Sequence, residues 1–176
     1  MNNVTKILAV LVAISAISFS SCKKVDPLLG TWAFVDAKLD INSSDPTVKM
    51  MSGLIDINSY IEMPNPIIFN EDGTGSGVTS SVTTQFDYTK TDSQITFKNL
   101  ELFFGGIPIT DLIADYQLLD KNMTLKLSLD VTDIAMPLFR AYLVNYINSS
   151  PIPLPIDVDA VMASIVDIKV IATYKK

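Results

Sequence analysis

The chain contains no histidine and a single cysteine, and each shortage removes a set of chemistries. Without imidazole there is no Ser-His-Asp or Cys-His nucleophile system, no histidine general base and no histidine-ligated zinc or iron. Without a second thiol no intramolecular disulfide forms, even in an oxidising compartment, so stability rests on the core alone. Basic side chains are also scarce: 13 Lys and Arg face 19 Asp and Glu, a net charge of −6, which leaves no basic surface for nucleic acid. Any chemistry would fall to carboxylates, tyrosines or lysines. No nucleophile–base arrangement stands out among them, so the chain reads as non-enzymatic, with no cofactor and no metal. Its first long apolar run, residues 7–19, is too short to span a bilayer.

That run is nevertheless informative. Lys6 is a positive n-region, residues 7–19 an apolar h-region, and Ser20 and Ser21 the small residues before a cut, so residues 1–21 read as a secretory signal. Cys22 follows directly, which assigns it as the lipidated residue rather than the stray thiol of an ordinary secreted protein. Residues 22–27 then form a lipidated tether and 28–176 the folded domain. Several acyl chains, palmitate among them, anchor stably where one holds only marginally, so the membrane is a partner through Cys22. Lys23 stands where an inner-membrane retention aspartate would, by resemblance to known sorting signals, so the expected location is the outer membrane of a cell envelope.

About 154 residues remain, enough for one domain with a real core and too few for two. An extended segment ending near Ile41 carries Trp32, Phe34, Ala37 and Leu39. Ser44 or Asp45 then caps a helix over 46–57, with Pro46 tolerated in the first turn and Val48, Met51, Leu54 and Ile55 at helical spacing. From Ile67 the period shortens to two. Residues 67–70 meet the turn Glu71-Asp72-Gly73 and return through 74–80. Val82, Thr84, Phe86 and Tyr88 alternate with polar residues, as do Ile95 and Phe97, giving a second hairpin. Residues 100–104 are apolar on both parities, a strand or a loop edging a cavity, and Gly105-Gly106 ends them.

A strand over 110–119 turns at 120–122 into the clearest alternation in the chain: Met123, Leu125, Leu127 and Leu129. Ile134, Leu138, Tyr142 and Tyr146 then recur every four residues, which marks a helix over about 133–148 with Pro137 in its first turn. Pro151, Pro153 and Pro155 impose an extended linker, and a short helical turn is expected near 159–163. Val166, Ile168, Val170, Ala172 and Tyr174 make a closing strand able to pair with the first. The expected fold is mainly β: about eight antiparallel strands with two inserted helices, closed into a barrel because closure removes exposed edges.

The signal, then Leu29-Gly30-Thr31-Trp32, then Phe69-Asn70-Glu71-Asp72-Gly73-Thr74-Gly75, together resemble the small lipocalin-like lipoproteins of Gram-negative bacteria, in pattern rather than identity. The terminal Ala172-Thr173-Tyr174-Lys175 is similar in kind. The resemblance implies an eight-stranded calycin barrel with Trp32 plugging its closed end. The helices near 46–57 and 133–148 depart from the simple lipocalin plan at the open end, where a pocket would lie.

Met50, Met51, Phe103, Phe104, Tyr142 and Tyr146 are the candidate ligand-binding residues, because soft or flat side chains suit an apolar ligand and tyrosine hydroxyls would orient it. A barrel of this size is either packed solid or holds one small molecule, so the same residues serve equally as core filling. Asp111 with Asp115, Asp130 with Asp133, and Asp157 with Asp159 offer oxygens to calcium, which needs six to eight, so turn and cap roles are expected of them. The function expected is non-enzymatic binding of a small apolar ligand by a lipid-anchored envelope protein, with the helix over 133–148 as lid. The alternative is an envelope interaction or assembly protein with a filled barrel and a helix that docks a protein partner.

Overall fold

The computed structural model describes residues 25–80, 82–151 and 154–176. The expected secretory signal, Cys22 and the start of the expected tether lie outside the described residues, as does Pro153. The strands are β1 (Gly30–Ser43), β2 (Ile67–Phe69), β3 (Thr74–Thr79), β4 (Val82–Lys90), β5 (Gln94–Lys98), β6 (Leu102–Phe104), β7 (Ile107–Ile109), β8 (Leu112–Leu119), β9 (Thr124–Asp130) and β10 (Ile165–Lys175). The helices are α1 (Pro46–Ser52), α2 (Thr132–Ser149) and α3 (Val158–Ala163). Eight strands close into one antiparallel barrel that follows chain order around its circumference, with the β6–β7 hairpin left outside. Closure is made by β10 returning along β1, from Ala33 opposite Lys175 to Ser43 opposite Ile165.

The period-two stripes predicted from sequence line the interior. Leu125, Leu127 and Leu129 of β9 and Ile168, Val170, Ala172 and Tyr174 of β10 are buried, while Lys126 and Asp130 face out. In β1 the apolar parity changes between Phe34 and Ala37, which no uniform strand allows. A register shift between Phe34 and Asp36 supplies the extra residue, and Val35 turns outward at 51% exposure. Phe69 collects Phe86, Tyr88 and Phe97 around it, the Tyr88 ring edge-on at 5.0 Å.

The barrel has two unlike ends. One gathers the turns at 70–73, 91–93 and 120–122 together with both chain ends of the described body. Trp32 closes it, fully buried, with its indole N–H donating 2.7 Å to the Leu28 carbonyl. Asp26 pairs with Lys90 at 2.7 Å and accepts the Leu28 N–H, which fixes the incoming chain across this end. The other end, the mouth, carries every long connection, and all three helices lie there.

Five local expectations need correction. The first helix stops at Ser52 rather than running to residue 57, because Gly53 turns its N–H back to the Met51 carbonyl. Asp56 then captures the Asn58 N–H and starts a separate 3-10 turn, Ile57–Ser59, so Leu54 falls on solvent. Pro137 lies beyond the first turn, inside α2, where it lacks an N–H for the Asp133 carbonyl. Met123 sits in the β8–β9 turn, half exposed, and Val82 and Val166 lie at strand ends past the reach of the core. Finally, the strand expected over 110–119 begins at Leu112, because residues 99–111 leave the barrel to make the β6–β7 hairpin.

Candidate functional site

An apolar cleft of about 40 Å³ opens at the mouth. Leu39 and Ile41 of β1 and Ile168 of β10 form its floor, where the outgoing and returning strands end. Ile55, Ile57 and Tyr60 form one wall and Phe104 of the hairpin another. The roof is α2, through Ala135, Leu138, Phe139 and Tyr142. These four fall at helical spacing, so one stripe of α2 both docks the helix and shapes the recess. The lining residues are all apolar or aromatic, Tyr60 and Tyr142 among them, and no carboxylate or ammonium is included.

The walls are held by specific contacts. Gly105 donates its N–H to the Tyr60 carbonyl at 2.7 Å, and Ile61 bridges to Phe104, so the hairpin is fastened to the segment after α1. Gly105 has φ +57°, and a Cβ there would stand 2.5 Å from Leu138 Cδ1. Glycine takes that left-handed turn without strain and leaves room for the end of the α2 side chain. Arg140 of α2 reaches Asp159 of α3 at 2.6 Å on the exposed side. Asp157 caps α3 by accepting the Asp159 and Ala160 N–H groups.

The structure brings together two of the six candidates, Phe104 and Tyr142. Met51 is fully buried beneath α1, away from the cleft. Met50 and Phe103 point to solvent, since neighbours in sequence on a helix or strand face different ways. Tyr146 is partly buried one turn further along α2 and does not line the recess. Sequence reasoning missed Ile41, Ile168, Ala135 and Phe139, although each sits where an apolar stripe meets a mouth helix. Tyr60 carried no signal, being positioned by an irregular segment.

The barrel interior differs from the expected ligand cavity: Trp32, Phe69, Phe97, Ile95, Leu125, Leu127 and Tyr174 are packed there at under 2% exposure. Of the acidic pairs, Asp130 accepts from the Thr132 N–H and hydroxyl, Asp115 accepts from Gln94, and Asp111 from the Asn99 N–H. The Thr132 hydroxyl and N–H hold the Asp130 carboxyl below its ordinary value against a smaller effect of burial. Among the described residues no three His, Cys, Asp or Glu side chains converge as a metal group. Among them, too, no helix is long and apolar enough to cross a membrane.

No protein-family model, curated protein or solved structure matches the chain.

Proposed function

We propose that the protein is a lipocalin-like lipoprotein, anchored through acylated Cys22 to the outer membrane of a cell envelope, that binds a small apolar ligand without catalysis. The observation that carries the reading is the apolar cleft under α2, with Tyr60 and Tyr142 in its lining. Drug-sized pockets enclose about 300–1,000 Å³. At about 40 Å³ the cleft takes one end of a ligand, such as a chain terminus or ring edge, and the remainder lies along the open groove. The ligand site is therefore the mouth, not the barrel centre.

Native mass spectrometry of the detergent-released lipoprotein, with medium-chain fatty acids and alkylphenols, tests this. One-to-one adducts that displace one another are expected. If no apolar compound binds across the series up to millimolar concentration, the ligand reading fails.

The packed interior favours a second reading, an envelope interaction or assembly protein whose α2 face meets a protein partner. A photo-crosslinker at Ala141, on the exposed side of α2, would then capture one consistent envelope protein in cells. Crosslinks spread over unrelated proteins would count against it.

A further inference from the structure

The described chain begins at Val25, and Val25 enters at the closed end of the barrel. Its anchor to that end is firm: Asp26 is paired with Lys90, Leu28 is buried, Trp32 holds the Leu28 carbonyl, and Lys176 donates to the Pro27 carbonyl at 2.6 Å. Cys22 precedes Val25 by three residues, which span at most about 10 Å when fully extended. A lipid on Cys22 thus enters the bilayer within that distance of the closed end. The barrel between the two ends is about 20–25 Å tall for tilted strands of this length, so the mouth is out of reach of the same lipid.

Charge points the same way. At the closed end Lys90, Lys121, Lys175 and Lys176 stand against Asp26, Glu71, Asp72, Asp92 and Asp120, close to balance, and Lys23 and Lys24 adjoin the anchor in sequence. The mouth is more acidic: Asp45, Asp56, Glu62, Glu101, Asp111, Asp133 and Asp157 outnumber Lys49 and Lys98 there, and its Lys169 and Arg140 pair with Asp167 and Asp159. An anionic leaflet attracts cations near its surface and repels the mouth. Val25, 78% exposed, adds an apolar side chain on the side nearest the lipid.

We infer that the closed end rests against the bilayer that holds the lipid, and that the apolar cleft opens away from that membrane, so its ligand arrives from the aqueous side or from a facing surface. This rests on acylation of Cys22 and adds to it an orientation.

The experiment uses the full-length, processed lipoprotein in phosphatidylcholine–phosphatidylglycerol vesicles whose headgroups carry a nitroxide quencher. The chain has no other cysteine, and an acylated thioether is inert to thiol reagents, so one introduced cysteine takes one fluorophore. Asp92→Cys reports on the turn at the closed end and Asn145→Cys on the exposed side of α2. Quenching severalfold stronger at position 92 than at 145 is expected, and it should persist at high salt because the tether sets it. Equal or reversed quenching on chains whose mass shows the acyl groups overturns the orientation alone. Chains that lack the acyl mass, and that remain in membranes when Cys22→Ala is made, overturn the anchoring and the orientation together.

Discussion

The ammonium of Lys176 lies 4.5 Å from the centre of the Trp32 ring, and the same nitrogen donates to the Pro27 carbonyl. The last residue of the chain thereby closes over the plug and holds the entering segment against it. A cation–π contact whose ammonium is exposed to water contributes about 0.5–1 kcal/mol. Lys176→Ala should lower stability by about that amount and shift the emission of Trp32, the chain's single tryptophan. Trp32→Ala removes the plug itself and should cost about 3–5 kcal/mol. Urea titrations with unchanged midpoints for both would contradict the role given to this end.

Tyr174 is fully buried, and its hydroxyl has no hydrogen-bonding partner among the described residues. Its ring meets Phe34 edge-on at 5.6 Å, a contact that phenylalanine keeps. An unpaired buried hydroxyl costs about 1–3 kcal/mol, so Tyr174→Phe should stabilise the protein by up to about that amount. Burial also pushes the phenol far above its ordinary 10.0. A raised folded value means the contribution is complete below pH 10 and declines above it, as the unfolded chain ionises first. Tyr174→Phe should accordingly reduce the alkaline loss of stability, measured as urea midpoints at rising pH. A lower midpoint at neutral pH would mean that the hydroxyl is satisfied.

The Asp26–Lys90 pair sets an acid dependence. Burial raises the Asp26 carboxyl, but the Lys90 hydrogen bond, the Leu28 N–H and the charges of Lys90 and Lys176 outweigh it and hold the group below its ordinary 3.8. A depressed carboxylate stabilises the fold above its unfolded value and ceases to do so as pH falls through the folded one. Lys90 moves oppositely: its hydrogen bond to Asp26 raises it above 10.5, so its contribution is lost only at high pH. Between those limits the pair is intact. Both groups are partly solvated, so Asp26→Asn should cost at most about 1 kcal/mol at neutral pH. The cost should vanish once pH falls below the depressed folded value, where the wild-type carboxyl is protonated too. Equal loss at every pH would assign the effect to packing instead.

How far the fold could be read in advance follows from where its causes lie. Leu125, Leu127 and Leu129 announce their strand because one residue in two must enter the core. The pairing of β10 with β1 was legible for a related reason, since both stripes need a neighbour that buries the same face. The exit of residues 99–111 from the barrel was not, because residues 100–104 are apolar on both parities and Leu102, Phe104 and Ile109 are buried outside the barrel sheet, Phe104 beside α2. The site divides likewise. Phe104 and Tyr142 were named from their chemistry, but the cleft between them is made by Tyr60 and Gly105, whose positions depend on a backbone hydrogen bond joining two irregular segments. Met51 shows the converse: a side chain of suitable chemistry that the helix spends on docking.

Two glycines are required for different reasons, and alanine should separate them. At Gly75 a Cβ would sit 2.3 Å from the Phe86 ring and 2.5 Å from the Ile68 carbonyl, and neither the sheet backbone nor the packed ring has room to move. Overpacking of this kind costs about 1–3 kcal/mol or more, spread over the aromatic cluster around Phe69. Gly105→Ala strains a left-handed turn by about 1–2 kcal/mol and meets only the flexible end of Leu138. Global stability should therefore fall more for Gly75→Ala. Hydrogen exchange should instead show Gly105→Ala loosening the β6–β7 hairpin and α2 while the barrel amides remain protected.

Ala135 lies in the roof of the cleft, 5% exposed, with Phe139 one turn further along α2. Ala135→Val adds two methyl groups toward a recess of about 40 Å³, enough to fill most of it. Each buried carbon contributes about 0.8 kcal/mol, offset by roughly half a kilocalorie of lost helix propensity. The net expectation is a protein as stable as wild type or more stable by about 1 kcal/mol, since the space is filled without displacing backbone. If the cleft holds the end of an apolar ligand, the same substitution removes the space that end occupies, and affinity for the medium-chain acids should fall at least about tenfold. A stable Ala135→Val protein with undiminished binding would place the ligand elsewhere. A strongly destabilised one would show that the recess has no slack, because α2 then cannot accept even two more carbon atoms.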